Sequence, residues 1–331
     1  MLMPPRNNIL NNGFIELEQY MGGDAAIIRA ARICYQSEPK NTEPVGLYSC
    51  GCAVHDSELP TNTPPDPRLT RPDLVRSVDD VPTLPPVPTR FPAKCPRLHD
   101  NPGRLLGATI ISDMGLISRL IHSEPSHNTV FEHAVMRFWV KCPIFVARQW
   151  LRHRMGTFNE LSLRYCAAER DYFIPLAKDV ANKLLAAVRS DMQDAPDEAT
   201  FVDIYDNLPD ELKDLGVLQR HVLWIMEMEY QFNNYEYLCE NGERQEIARG
   251  ILGTNTYTQF IWTVNAWSFM NWLTKRLGPA AQKEHQIYAL GALNLWIDIM
   301  PITTYFFTEL LASTHADGLT WRRTILDGTR T

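Results

Sequence analysis

The pattern of apolar and polar residues predicts strands and helices in alternation over the first part of the chain. Gly13–Glu18 alternates apolar and polar side chains, which is the period of a half-buried strand. Ala25–Ile33 follows as a short helix with Asp24 as its N-cap, and another helix is predicted around Leu116–Ile121. Phe131–Val140 is rich in aromatic and β-branched residues, which favours a second strand.

Helical spacing dominates the remainder. Pro143 suits the first turn of a helix that runs to about His153, and Leu161–Ile174 is predicted to be extended. The apolar spacing then predicts helices over Lys178–Arg189, Leu215–Glu240, Glu243–Leu252, Asn265–Leu277, Ala280–Met300 and Thr303–Ser313. The elements together indicate an α+β fold of mixed α/β character, with a small antiparallel-type sheet and a mainly helical C-terminal half.

Proline interrupts this pattern at one place. Residues 37–103 hold 14 of the 23 prolines in the chain of 331 residues. Proline cannot continue a helix or occupy the middle of a sheet, so this stretch is predicted to be an irregular or disordered insertion on the surface. The segments on either side read as continuous once it is removed. We therefore expect a single domain over 1–331 that carries the insertion within it.

Charge and cysteine content narrow the class of protein. Lys and Arg number 32 against 39 Asp and Glu, giving a net charge of −7, which argues against binding to a nucleic acid through bulk charge. No apolar run is long enough to span a membrane and no secretory signal is recognisable, so we expect a cytoplasmic protein without a membrane partner. The seven cysteines are read as scattered thiols. Cys50 and Cys52 are only a weak zinc candidate.

The densest polar cluster lies between residues 148 and 165, where four arginines and one histidine occur. Gln149 and Arg152 are three apart and share a helix face, while Glu160, Ser162 and Arg164 are spaced by two and point the same way on an extended backbone. Guanidinium, amide, hydroxyl and carboxylate groups brought together suit a phosphorylated nucleotide. The alternative interpretation is a lattice of surface salt bridges.

Two other groups of polar residues are less specific. Glu246 and Arg249 lie three apart on a predicted helix, an arrangement that is also typical of a solvated helix face. Asn265 and Arg276 are eleven apart and share a helix face about 16 Å long. The histidines around Glu132, at positions 127 and 133, do not match the spacing of a metal motif, so no metal site is predicted.

The spacing within the arginine cluster resembles a family motif. Arg152-His153-Arg154, followed after seven residues by Ser162, resembles the R-H-R-x7-S motif of the flavin-dependent thymidylate synthases. The resemblance continues in the same order along the chain, through Ala30–Tyr35, Phe131–His133, Pro143–Gln149, Glu246–Arg249, Thr263–Ala266 and Ala281–Glu284. It covers roughly 13–35 and 113–300.

The resemblance implies a methyltransferase that converts dUMP to dTMP. FAD would be its cofactor, NADPH its reductant and 5,10-methylenetetrahydrofolate its carbon donor, in a homotetramer with active sites between subunits. The implied dUMP site comprises Gln149, Arg152, Glu160, Ser162, Leu163, Arg164, Arg249 and Arg276. The implied FAD contacts are Thr129, Arg152, His153, Arg154, Glu160, Asn265, Trp267 and Asn271, with His127 beside the flavin and folate.

Arg276 is the candidate catalytic residue, because a guanidinium at the pyrimidine edge would stabilise charge that develops on the ring. Two alternatives stand beside an active enzyme. Trp267 and Ala280 replace a basic residue and a histidine that are usual in the family, which would suit a catalytically weak relative acting as a nucleotide-binding module. A nucleic-acid-binding protein that uses the arginines of 148–164 is opposed by the acidic net charge.

Overall fold

The computed structural model describes residues 6–33, 108–123, 127–191 and 198–314. The insertion predicted over 37–103 and the cysteines before and within it lie outside the described residues. The predicted fold class is confirmed: a small antiparallel sheet is combined with a mostly helical C-terminal half.

In the described ranges, one sheet contains strands β1 (Arg6–Ile9), β2 (Gly13–Met21), β3 (Val135–Pro143), β4 (Thr157–Glu160) and β5 (Tyr257–Asn265). Its order is β1-β2-β3-β5-β4, and every neighbouring pair is antiparallel. The alternation over Gly13–Glu18 correctly located β2. The second predicted strand began too early, because Thr129–His133 forms a 3₁₀ helix that buries Phe131 in the core.

The strand β5 lies between β3 and β4, and the sequence pattern did not reveal it. Its buried residues do alternate, with Phe260, Trp262 and Val264 in the core. The next helix also contains tryptophans and a phenylalanine, so aromatic residues occur throughout the region and the alternation within β5 does not stand out in the sequence. The sheet is therefore held together by a strand whose period-2 signal is masked by the aromatic residues around it.

The helices of the described chain follow the predicted positions closely after residue 178. Their bounds are α1 Asp24–Ile33, α2 Ala108–His122, α3 Ile144–Trp150, α4 Lys178–Asp191, α5 Glu198–Asp206, α6 Asp210–Asp214, α7 Gln219–Glu240, α8 Gln245–Ala248, α9 Ala266–Arg276, α10 Lys283–Ile299 and α11 Pro301–Thr314. The helix predicted over Glu243–Leu252 divides into α8 and a 3₁₀ turn, Arg249–Ile251. The short helices α5 and α6 were not predicted.

The sequence predicted Asp24 as the N-cap of its own helix, and this prediction was wrong. The amides of Ala26 and Ile27 donate to the carbonyl of Gly23 instead. The Asp24 carboxylate accepts hydrogen bonds from the backbone amides of Ile302 and Thr303, at 2.8 and 3.0 Å, and so caps α11. Local spacing cannot distinguish these roles, because the partner lies almost three hundred residues away.

Aromatic side chains fill the space between the sheet and the helices. Trp150 at the end of α3 stacks on Trp272 of α9 with ring centroids 4.7 Å apart, and its edge meets Trp262 of β5 at 5.3 Å. Phe138 of β3 stacks on Phe269 of α9 at 5.6 Å. All five rings are almost fully buried. The positions of α3 and α9 over the sheet are consequently fixed by rigid rings.

A second cluster of buried residues lies among α4 to α8 and is tied to the chain that follows β4. Glu229 of α7 is 3% exposed and accepts hydrogen bonds from Arg170, Arg189 and the hydroxyl of Tyr172, all between 2.7 and 3.0 Å. A buried carboxylate requires such partners. These bonds fasten the segment that contains Arg170 and Tyr172 to α4 and α7.

Candidate functional site

The C-terminal ends of two helices that follow strands of the sheet, α3 and α9, lie close to each other. The helix α3 begins where β3 ends, and α9 begins where β5 ends. Because β3 and β5 are antiparallel, the two helices start at opposite ends of strands about 30 Å long. Their own lengths, about 10 and 16 Å, bring the last turn of each close to the other. The C-terminal residues of α3 and α9 therefore form one site.

The side chain of Arg276, the last residue of α9, makes the contact between these helix ends. Its Nε donates to Nε2 of His153 at 3.0 Å. Its Nη1 donates to Oε1 of Gln149 at 3.3 Å, and its Nη2 donates to the backbone carbonyl of Gln149 at 2.9 Å. Three of the residues predicted for the site thus meet in one hydrogen-bonded group, although Arg276 is more than 120 residues from Gln149 and His153 in sequence.

The electrostatics of this group keep His153 neutral. Burial, and after it the positive charges of Arg276 and Lys275, lower the pKa of His153 to about 4. Since arginine only donates, Nε2 of His153 must accept the bond from Arg276, and the ring proton is assigned to Nδ1. Burial, and then the charge of Arg152, lower the pKa of Arg276 as well, but a guanidinium remains charged near neutral pH.

A cavity of about 330 Å³ opens beside this group. Five residues predicted for dUMP or FAD line it, namely Arg152, His153, Arg154, Asn271 and Arg276. Its floor is apolar, with Trp262 and Val264 of β5. The cavity therefore combines cationic walls with a buried apolar base.

The cavity also contains residues that the sequence analysis missed. Ser268 and Lys275 lie three before and four after Asn271 on α9, and all three line the cavity. Residues with this spacing share a helix face, so the prediction of Asn271 was sufficient to find its two neighbours. Met155, which is 71% exposed, lines the rim and had no signal in the sequence.

The residues after β4 form a second group. Nε of Arg164 donates to the Glu246 carboxylate at 3.1 Å, and Nε of Arg249 donates to the backbone carbonyl of Glu246 at 3.3 Å. The amide of Arg164 donates to Oγ of Ser162 at 3.4 Å. Glu246 thus joins two arginines of the predicted dUMP site to the same short helix, α8.

The prediction of an extended stretch over Leu161–Ile174 was wrong for the first half of that stretch. The strand β4 ends at Glu160, and a turn follows in which the amide of Tyr165 donates to the carbonyl of Ser162. Glu160, Ser162 and Arg164 therefore do not share one strand face. The carboxylate of Glu160 accepts from the hydroxyl of Thr258 on β5 at 2.8 Å.

The described hydrogen bonds divide the predicted dUMP residues into two groups within one chain. Gln149 and Arg276 belong to the cavity group, together with Arg152 as a lining residue. Ser162, Arg164 and Arg249 belong to the group around α8, with Leu163 in the same turn. No hydrogen bond described for these residues joins the two groups.

The remaining residues predicted for FAD lie toward the start of α9. Oδ1 of Asn265 accepts from the amide of Ser268 at 2.8 Å and caps the helix. Trp267 is half-buried and packs against the main core. Thr129 is exposed at the start of the 3₁₀ helix that packs beside α9, and His127 is exposed just before it. Asn265 lies about one helix length, ~16 Å, from Arg276.

Within the described ranges, no cluster of three or more His, Cys, Asp or Glu side chains is arranged to hold a metal ion. None of the helices described is long and apolar enough to cross a bilayer. The cationic cavity is thus the chemically distinctive feature of this part of the chain.

A small antiparallel sheet combined with helices, and a cavity lined by three arginines and a lysine, define an α+β protein with a cationic cavity. The sequence profile of one family, described as thymidylate synthase complementing protein, matches residues 16–302. The chain belongs to this family.

Its relatives are consistent with that assignment. The flavin-dependent thymidylate synthase of Thermosipho africanus is 38% identical over 199 residues, covering 60% of this chain and 77% of the relative. That of Thermotoga neapolitana is 27% identical over 301 residues, covering 91% and 93%. Among solved structures, the UMP/dUMP methylase PolB of Streptomyces cacaoi, bound with 5-Br dUMP, matches with a TM-score of 0.52 at 23% identity, over 91% of this chain and 97% of PolB. This last similarity concerns the fold.

Proposed function

We propose that the chain is a flavin-dependent thymidylate synthase, a methyltransferase that acts on dUMP. Family membership over residues 16–302 supports the activity. The observation that carries the proposal is the guanidinium of Arg276, held between Gln149 and His153 at the edge of a cationic cavity.

The reaction replaces the hydrogen on C5 of dUMP with a methyl group. Methylenetetrahydrofolate supplies the carbon and leaves as tetrahydrofolate, and NADPH supplies the two electrons that reduce methylene to methyl. When bound, FAD would carry those electrons from NADPH to the reacting carbon. The protein itself then has to bind the pyrimidine, orient it and stabilise charge on it.

Arg276 has the donors for that task. A guanidinium carries five N–H groups, and three are donated to His153 and Gln149. The two that remain, one on each terminal nitrogen, can donate to a carbonyl oxygen of a pyrimidine or to a phosphate. Attack by C5 on the methylene carbon requires an electron-rich ring, and a fixed cation at the ring edge stabilises the negative charge that makes C5 nucleophilic without accepting a proton.

His153 contributes as a neutral donor. Its Nε2 is occupied by Arg276, so its Nδ1–H is the group left for a ligand. A neutral imidazole beside Arg276 adds no repulsion to the guanidinium. We propose that His153 orients the flavin or the pyrimidine through this N–H.

The residues of the cavity fit the chemistry of FAD. Arg152, Arg154 and Lys275 offer positive charge for a diphosphate, and Asn271 and Ser268 offer groups for a sugar or a ring edge. Trp262 borders the cavity from the core, and its buried Nε1 has no partner among the described residues. Towards the other end of α9, Thr129, Asn265 and Trp267 would contact the more distant portion of the same cofactor.

The size of the cavity supports a site shared between subunits. About 330 Å³ is at the lower end of the range for one drug-sized ligand, too small for FAD, dUMP and folate together. The two arginine groups of the predicted dUMP site are also separate within one chain. We propose that a homotetramer brings the α8 group of one subunit to the cavity group of another, so that Arg164 and Arg249 bind the phosphate.

Three further points stay predictions from the sequence. These are NADPH as the reductant, a cytoplasmic location, and one domain over 1–331 with an insertion at 37–103. The alternative of a catalytically weak nucleotide-binding module is not favoured, since the chain resembles enzymes named as synthases at up to 38% identity. An acidic net charge of −7 also leaves nucleic-acid binding unsupported.

The test is a reconstituted assay. Purified full-length chain with FAD, NADPH, methylenetetrahydrofolate and dUMP should form dTMP, measured by mass spectrometry with deuterium introduced in the reductant or solvent. Bound flavin should be visible in the absorbance spectrum, and NADPH oxidation should depend on dUMP. Flavin binding without any dTMP would contradict the proposed activity.

A further inference from the structure

The amide of Gln149 is held at both ends. Its Oε1 accepts from Nη1 of Arg276 at 3.3 Å, and its Nε2 donates to Oε1 of Gln282 at 2.7 Å. Gln282 lies just before α10, 133 residues further along the chain than Gln149. The resemblance assigned no role to Gln282. Its only described side-chain bond is the one to Gln149.

The direction of these bonds follows from the chemistry of arginine. A guanidinium has no acceptor, so Gln149 must present its oxygen to Arg276. The amide nitrogen of Gln149 must then face the opposite side, and only an acceptor can stabilise it there. If the amide turned over, two donors would face each other at Arg276. Arg276 thus sets the orientation of the Gln149 amide, and Gln282 supplies the acceptor that stabilises the amide in that orientation.

We propose that Gln282 is a positioning residue for dUMP binding, which holds the Gln149 amide so that Gln149 fixes the guanidinium of Arg276. The inference rests on the proposed function, because it assumes that Gln149 and Arg276 bind dUMP. Gln282 acts only through Gln149 and touches neither Arg276 nor the substrate.

The surrounding turn contains a glutamine with a purely structural contact, which makes a matched control. Gln282 occupies the N-cap position of α10, but its side chain makes no capping bond. One turn later, Nε2 of Gln286 donates to the backbone carbonyl of Gly278 at 2.8 Å and fastens the same turn between α9 and α10. Gln286 has no described contact with Gln149.

The experiment compares Gln282→Met with Gln286→Met in the full-length holoenzyme. The affinity for dUMP is measured by titration calorimetry, and unfolding is followed by thermal denaturation. Loss of one oriented hydrogen bond should weaken dUMP binding about tenfold in Gln282→Met, while Gln286→Met should bind dUMP like the wild type even where it unfolds at lower temperature. Gln282→Glu keeps an acceptor for Gln149 and should restore binding to within about threefold of the wild type.

A double-mutant cycle isolates the route of the effect. In a Gln149→Met background, Gln282→Met should cause no further loss of dUMP affinity, because the residue through which it acts is absent. Equal losses in both backgrounds, or wild-type affinity in Gln282→Met, would overturn the inference alone. A wild-type chain that binds no dUMP would overturn the proposed function and the inference with it.

Discussion

Replacing Arg276 with lysine tests whether the forked guanidinium, and not its charge, is what the site requires. Arg276 donates three hydrogen bonds to His153 and Gln149. A lysine ammonium is a single point at the end of a flexible stem and can replace at most one of them in place. Two bonds are lost, each contributing about 1–1.5 kcal/mol in a half-exposed site, for a total of about 2–3 kcal/mol.

That loss corresponds to a decrease of about 30- to 150-fold in kcat/KM for dUMP. Formation of dTMP is measured at several dUMP concentrations, with flavin absorbance and thermal unfolding measured on the same preparation. Arg276→Ala, which also removes the charge, should abolish dTMP formation while the protein remains folded. Arg148→Lys is the matched control, since Arg148 is exposed on α3 next to Gln149 but belongs to neither predicted site.

A kcat/KM for Arg276→Lys within threefold of the wild type would refute the reasoning, because charge alone would then suffice. A large decrease in kcat/KM for Arg148→Lys would show that any change from arginine to lysine near the end of α3 impairs the enzyme. The effect of Arg276→Lys could then not be attributed to the forked geometry of the Arg276 guanidinium.

Four further predictions concern titration, stability and domain organisation. His153 should take up a proton only as the pH falls through about 4, and Arg276→Met should raise that pKa part of the way to its ordinary value in an NMR titration, since burial is the larger cause. Burial acts to raise the pKa of Glu229, but its hydrogen bonds from arginine and tyrosine outweigh this and hold the pKa below its ordinary value of 4.5. The ionised Glu229 should therefore stabilise the folded protein above pH 4.5, and this stabilisation should be lost as the pH falls below that value. Glu229→Gln should lower the free energy of unfolding at pH 7 by about 3 kcal/mol in urea titrations. Burial lowers the pKa of His285 far below its ordinary value of 6.5. As the pH drops below 6.5 the unfolded chain therefore binds a proton before the folded chain does, and the free energy of unfolding should fall by up to about 1.4 kcal/mol per pH unit. His285→Met should remove that part of the pH dependence, and an unchanged slope would contradict the assignment. Deletion of 40–100 should leave a folded flavoprotein with dTMP-forming activity, and loss of flavin from the deleted protein would show that the stretch contributes to the fold.

The sequence was most informative where a signal was local. Helix α9 followed from spacing within a dozen residues, to within one residue at each end. The arginine cluster was visible because guanidinium groups are rare beside apolar sequence. Strand β5 was not visible, since its alternation is obscured by tryptophan and phenylalanine on the helix that follows.

Contacts between distant segments could not be derived from spacing. Asp24 was predicted to cap its own helix, but its carboxylate binds amides at the start of α11. The turn after Glu160 separates Ser162 and Arg164 from the strand that was expected to align them. Gln282 lies within the stretch Ala281–Glu284 that resembles the family, but its bond to Gln149 joins residues 133 apart in sequence and has no local signal.

The junction between α1 and α2 has a consequence for how the chain tolerates added length. Nε of Arg32, near the end of α1, donates to Oδ1 of Asp113 on α2 at 2.8 Å, so a charged hydrogen bond joins the two helices between residues 81 apart in sequence. The entropic free-energy cost of closing a loop grows only with the logarithm of its length, by about 0.6 kcal/mol for each doubling. We therefore expect that changing the length of the stretch between α1 and α2 would cost little folding free energy, because the bond between Arg32 and Asp113 joins the two helices directly.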